Sequence, residues 1–163
     1  MNQWPQQPGP PQQYPVPPRA GGGVAGTAIA LGFIMGLLQA LACSGYLILG
    51  SQNLSSGTAV RGWVTGFLFT EGILRLLAAF TLIVGAVMLT RRKPIGRWVA
   101  AGAALVFVPL QFIEYAVWPS IVPSSASDVQ PLSAVIGVIL PITIIVLVLS
   151  GSTRRWLDDG RRR

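Results

Sequence analysis

The chain has 163 residues, 52% of them hydrophobic and only 10% charged, whereas soluble domains carry about 25% charged residues. A soluble fold of this length would lack the polar side chains to cover its core, so the composition excludes an ordinary water-soluble globule. The net charge of +7 does not point to nucleic acid either. The basic residues sit in short clusters at the ends of apolar runs, as they do in the inner loops of membrane proteins.

Residues 1–23 open the chain. Within 1–19 there are seven prolines, five glutamines and a single charge, Arg19. Such a segment has too little apolar surface to offset the entropy of ordering, which predicts a disordered tail with local polyproline II character. Pro5-Gln6-Gln7-Pro8 and Pro15-Val16-Pro17-Pro18 fit the P-x-x-P pattern that docks on aromatic grooves. The pattern arises easily in any proline-rich segment, so a passive tether is the simpler reading.

Four apolar runs follow, at 24–49, 64–89, 98–118 and 132–149. Crossing the hydrocarbon takes roughly 20 residues, and each run meets that length. Val and Ile dominate the fourth run, which would suit a strand in water. In lipid a lone strand leaves its backbone groups unpaired, so that run is predicted helical. The fold class is therefore all-α, a four-helix transmembrane bundle over residues 24–150. A basic tail, 151–163, closes the chain.

The linker 90–97 holds Arg91, Arg92, Lys93 and Arg97, and the tail holds Arg154, Arg155, Arg161, Arg162 and Arg163. The other two loops hold only Arg61. Nine basic residues against one predict that the linker, and hence both termini, face the cytoplasm of a plasma membrane. Trp63, Trp98, Trp118 and Trp156 fall near the ends of the runs, where indoles favour the interface. A cleaved signal is disfavoured, because no basic region lies close to Met1 and the first run is long. Ala40-Leu41-Ala42-Cys43 is a poor lipobox.

Ala28, Gly32, Gly36, Ala40 and Ser44 recur every four residues along the first run. That spacing places them on one helix face, where small side chains let a second backbone approach closely. The face is a candidate contact with a second copy or another membrane protein. Internal packing is the simpler reading, since a four-span bundle needs such seams. Pro109 and Pro141 fall inside the third and fourth runs and should kink them.

Charges inside spans are costly, and this chain has three, Glu71, Arg75 and Glu114, accompanied by Gln39 and Gln111. At 1.5 Å per residue, Glu71 lies ~12 Å and Arg75 ~18 Å inward from Trp63. Gln39 lies ~15 Å from Leu49, Gln111 ~10 Å and Glu114 ~6 Å from Trp118. All five fall in the outer half or near the midplane and could converge. Glu71 and Arg75, four apart, share a face and can pair. Glu114 then has four options: outer water, Arg61, a share of Arg75, or a proton. The cluster reads either as a structural salt bridge holding helices in register or as a proton or cation site.

The sequence has no histidine and one cysteine, Cys43. It has no G-x-S-x-G, no Walker A loop, no C-x-x-C and no aspartate within a span, so no catalytic residue, cofactor or metal site is expected. Small multidrug-resistance exporters use a glutamate in their first span; here the first span has Gln39 and no acid, so that match fails. The stretch 85–98, GAVMLTRRKPIGRW, with its basic G-R turn between spans two and three, resembles that of small four-span actinobacterial membrane proteins with a Pro/Gln/Gly/Tyr-rich cytoplasmic start. The resemblance implies a plasma-membrane protein and supplies no active-site residues. The resulting expectation is a non-enzymatic accessory or scaffolding component of the cell envelope or of a larger membrane complex. The alternatives are a small transporter or channel using the Glu/Arg cluster, and a lipid-interacting or sensory protein.

On this reading the expressed chain sediments with membranes during ultracentrifugation and dissolves only with detergent. Recovery in the detergent-free supernatant would overturn the membrane assignment.

Overall fold

The structure is a computed structural model that describes residues 22–55, 62–121 and 130–161. The Pro/Gln-rich tail with Arg19, the loop residue Arg61 and the Arg162-Arg163 pair lie outside the described residues. The fold is all-helical. Helix α1 spans Gly23–Ser55, α2 Gly62–Thr90, α3 Ile95–Val117, α4 Gln130–Leu149 and α5 Gly151–Arg161, with a short 3-10 turn at Trp118–Ser120 after α3.

Three helical stretches, Gly23–Gln52, Gly62–Thr90 and Ile95–Ser120, are each long and apolar enough to cross a membrane. The described part of α4 and α5, bent 48° at their junction, meet the same criterion only when taken together as one span, so three to four helical segments are long and apolar enough. The helices extend past the predicted runs, most of all α1, which has 33 residues. Its last turn, beginning at Ser51, is polar. Helix continues there because nothing in Ser51–Leu54 breaks it, and because helical backbone satisfies its own polar groups whatever the surroundings.

Helix α1 packs on α2, α2 on α3 and α3 on α4, while α1 meets α4 less extensively and closes the bundle. The α1–α2 contacts run in opposite chain directions: Gly32 faces Ala86, Gly36 faces Ala79 and Ile83, and Gly50 faces Phe69. The pair is therefore antiparallel. The small-residue face of α1 is thus occupied by α2 of the same chain at Gly32 and Gly36, and Ser44 at its far end is exposed.

The core is built largely from small residues, Ala28, Ala78, Ala79, Ala100, Ala103 and Ala104, with Leu82, Phe107, Ile144 and Val148 filling between them. In α2 the seam Val64, Leu68, Glu71, Arg75, Ala78, Leu82, Gly85, Leu89 is buried, and its steps alternate four and three. Gly96, Ala100, Ala103, Phe107 and Leu110 do the same in α3. This 3.5-residue repeat is that of a left-handed helix seam. Outward faces are apolar: Leu41 is 69% and Phe80 66% exposed, while Glu71 and Arg75 are each 3% exposed. Charge inside and hydrocarbon outside is the arrangement that suits lipid as solvent.

The C-terminal segment, expected as a basic tail, is a helix. Ser150 starts it by accepting a hydrogen bond from the Thr153 backbone N–H at 3.3 Å, the N-cap arrangement. Thr153 and Leu157 bury one face of α5. Trp156 lies beside Gly22, where a Cβ would stand 2.9 Å from its indole nitrogen. Above it sits Arg92, its guanidinium carbon 4.8 Å from the Trp156 ring centre. Arg92 has φ 55°, in the left-handed region. The Arg92 N–H donates to Leu89 O at 2.8 Å and the Lys93 N–H to Met88 O at 2.9 Å, a Schellman closure of α2 in which arginine holds the position glycine usually takes. A left-handed non-glycine residue costs about 1–2 kcal/mol, and the stack on Trp156, worth about 0.5–1 kcal/mol at an exposed site, offsets part of it. The indole of Trp156 is thereby packed against protein, whereas Trp98 remains 61% exposed.

Helices α2 and α3 touch closely at Gly85, where a Cβ would stand 2.7 Å from Ala100 N. Backbone cannot step aside, so Gly85→Ala is expected to lower thermal stability in detergent by about 1–3 kcal/mol. Gly102→Ala, with nothing within 4 Å, should leave the melting temperature unchanged or higher.

Candidate functional site

The seam positions of α1, α2 and α3 carry the polar residues. Glu71 and Arg75 occupy successive seam positions of α2, so both side chains are turned into the bundle. Their Nε–Oε1 distance is 2.9 Å, an (i, i+4) pair with glutamate first, the favourable order. From α1, Gln39 presents its side-chain oxygen to Arg75 Nη1 at 3.1 Å. From α3, Glu114 accepts from Arg75 Nη2 at 2.6 Å. Gln111, one turn before Glu114, donates its amide to the same carboxylate at 2.9 Å. Gln39, Glu71, Arg75, Gln111 and Glu114, the residues read from sequence, therefore form one connected network.

Of the four options open to Glu114, the structure realises the shared Arg75. Arg61 lies outside the described residues.

One member was missed. Tyr46 donates its hydroxyl to the second oxygen of Glu114, and its ring lies 5.3 Å from the Arg75 guanidinium carbon. Tyr46 sits seven residues after Gln39, two turns along the same face. That spacing was a usable signal, and it is hidden because a tyrosine near a span end ordinarily reads as an interface anchor. The far side of its ring meets Trp118 edge-on, 6.2 Å between centres. Tyr46, Val64 and Leu68, with Trp118 and Ile121 against them, form a second apolar cluster above the network.

Arg75 thus has one acceptor on each of α1, α2 and α3, with an aromatic face alongside. Glu114 receives donors from Tyr46, Arg75 and Gln111. One guanidinium and two carboxylates leave the network one negative charge in excess. Gln111 also touches α4, where its side-chain oxygen fills the space that a Cβ on Gly137 would take. A crevice of about 340 Å³ runs beside the network between α1 and α4, with Gln39, Tyr46, Arg75, Gln111 and Glu114 on its polar side. Glu114 is the more open carboxylate, its side chain 22% exposed against 3% for Glu71.

Chemically, this arrangement ties helices together and offers one partly open, negatively biased recess. The Cys43 Sγ donates to the Ala40 carbonyl at 3.1 Å within α1 and takes no part in it. No family model, curated protein or solved structure matches the chain. Fold and site together define a class: a membrane-embedded helical bundle with a buried ion-pair network.

Removing Arg75 alone strands two carboxylates in the bundle. Arg75→Leu is expected to cost about 3–5 kcal/mol, as for other broken buried pairs. Glu71→Gln keeps an acceptor for Nε and leaves a neutral Arg75–Glu114 pair, so its cost should be less than half as large. Unfolding of both variants in detergent micelles measures the difference.

Proposed function

We propose that the protein is a non-enzymatic, multi-pass plasma-membrane protein with both termini in the cytoplasm. It serves as an accessory or scaffolding component of the cell envelope or of a larger membrane complex. The observation that supports this most directly is the closure of the network. Arg75 is met by acceptors from three helices and Glu114 by three donors. A cluster so fully partnered acts as a staple that holds register, and leaves no nucleophile–base pair for chemistry.

The exposed apolar faces are free to meet lipid and other membrane helices. The stated orientation is supported by charge: among the described residues, every charge outside the network lies on the α2–α3 turn, the start of α3 or α5. The Arg92–Trp156 contact ties that turn to α5 at one end of the bundle. The layout shared with four-span actinobacterial membrane proteins belongs to the same proposal.

A second reading, a small cation transporter or channel, is favoured by one observation. The crevice of about 340 Å³ borders a network with surplus negative charge and a partly open Glu114. Two measurements separate the readings. Affinity purification of the full chain in mild detergent is expected to recover stoichiometric partners and, in proteoliposomes, no cation flux. Flux that depends on pH and is abolished by Glu114→Gln, with no partner recovered, would replace the scaffolding reading by the transport one.

A further inference from the structure

A second recess lies at the basic end of the bundle, remote from the ion-pair network. It is a groove of about 430 Å³ between the start of α3 and α5, walled by Ile95, Arg97 and Trp98 on one side and Arg154, Leu157 and Asp158 on the other. The fold creates it. The bend at Ser150 swings α5 under the bundle, and burial of Thr153 and Leu157 fixes which face α5 turns inward. Arg154 is thereby brought opposite Arg97, although the two are 57 residues apart in sequence.

We propose that this groove is a binding site for the headgroup of an anionic glycerophospholipid, with the phosphodiester held between Arg97 and Arg154. Three features of the groove support that occupant.

The first is unmet charge. Among the described residues the ion pairs are those of Arg75 with Glu71 and Glu114, so Arg97, Arg154 and Asp158 have no partner of opposite charge; Arg97 stacks on Trp98, its guanidinium carbon 5.1 Å from the ring centre. Guanidinium groups bind phosphate oxygens through charge-assisted hydrogen bonds, and they do so best where water is partly excluded.

The second is stoichiometry of charge. Arg97 and Arg154 against Asp158 leave the groove at +1, from two positive groups minus one negative. A phosphodiester carries one negative charge and neutralises the site, whereas a phosphomonoester at about −1.5 to −2 would overshoot it.

The third is the apolar path leading out of the groove. Trp98, Leu105 and Phe112 are 61%, 62% and 60% exposed and recur every seven residues, so they form one stripe down the outer face of α3. An acyl chain attached to a phosphate at Arg97 has a continuous apolar surface to follow into the hydrocarbon, starting at an exposed indole suited to the interface. A free phosphate would use the arginines alone and gain nothing from the stripe.

This inference rests on the membrane reading, and the two fail separately. A chain that leaves the membrane without detergent overturns the membrane reading. A membrane-extracted chain that retains no lipid overturns only the site.

The test uses the full chain purified in mild detergent and incubated with phosphatidylglycerol, phosphatidylcholine or inorganic phosphate, with retained lipid counted by native mass spectrometry. One phosphatidylglycerol per chain is expected, and no phosphatidylcholine. Arg97→Gln with Arg154→Gln should weaken retention roughly 30-fold, from about 1 kcal/mol per basic residue. Arg91→Gln with Arg155→Gln removes equal charge from outside the groove and should change retention far less, because neither guanidinium lines it. Asp158→Asn, a change at an exposed position, should tighten it. Equal loss in both double variants, equal retention of phosphatidylcholine, weakening by Asp158→Asn, or displacement of the lipid by inorganic phosphate would each overturn the assignment.

Discussion

A guanidinium inside a hydrocarbon layer must find acceptors within the protein, and much of this bundle is arranged around that requirement. Desolvating an isolated charge is prohibitive, and a paired one is tolerable only if its remaining donors are also met. Arg75 is answered by Glu71 on its own helix, then by Gln39 and Glu114 on its two neighbours. Glu114 raises the same demand in turn, and Tyr46 and Gln111 meet it. Each partner lies on the heptad seam of its helix or beside it, so pairing the charges and packing the helices are one geometric solution.

The small residues make that solution reachable. Side-chain hydrogen bonds between helices need axes that approach closely, and glycine and alanine permit the approach. Gly32 and Gly36 let α1 settle on α2, and Gly85 lets α2 settle on the Ala100 backbone. In lipid there is no gain from hiding apolar surface, because the solvent is as apolar as the side chains. Close van der Waals contact and satisfied polar groups are what remain to hold helices together, and this chain uses both.

The two ends of the bundle differ in kind. One is closed by aromatic packing of Tyr46 and Trp118 above the polar network. The other is a charged collar in which the α2–α3 turn, the first turns of α3 and all of α5 meet. Arg92 takes a left-handed conformation there and stacks on Trp156, holding α5 beneath the turn. The staple and the collar differ in character: the first ties three helices together through buried pairs, while the second gathers cations at one end of the bundle.

Much of this was legible in the residues. Four apolar runs of spanning length, bounded by basic clusters and turn residues, specify the helices because lipid allows an isolated segment no other way to pair its backbone. The convergence of Gln39, Glu71, Arg75, Gln111 and Glu114 was also readable, since unpaired polar groups at similar depth have nowhere else to go. Tertiary structure alone decided the rest. Which of its possible partners Glu114 takes depends on helix rotation about the bundle axis, which depth arithmetic leaves free. The entry of Tyr46 depends on the same rotation. The 151–163 segment read as a charged tail because its eleven helical residues carry only a narrow apolar face, and that face has meaning only once α1, α4 and the α2–α3 turn give it something to cover. The groove between Arg97 and Arg154 arises from the bend at Ser150, so no local pattern in the sequence announces it.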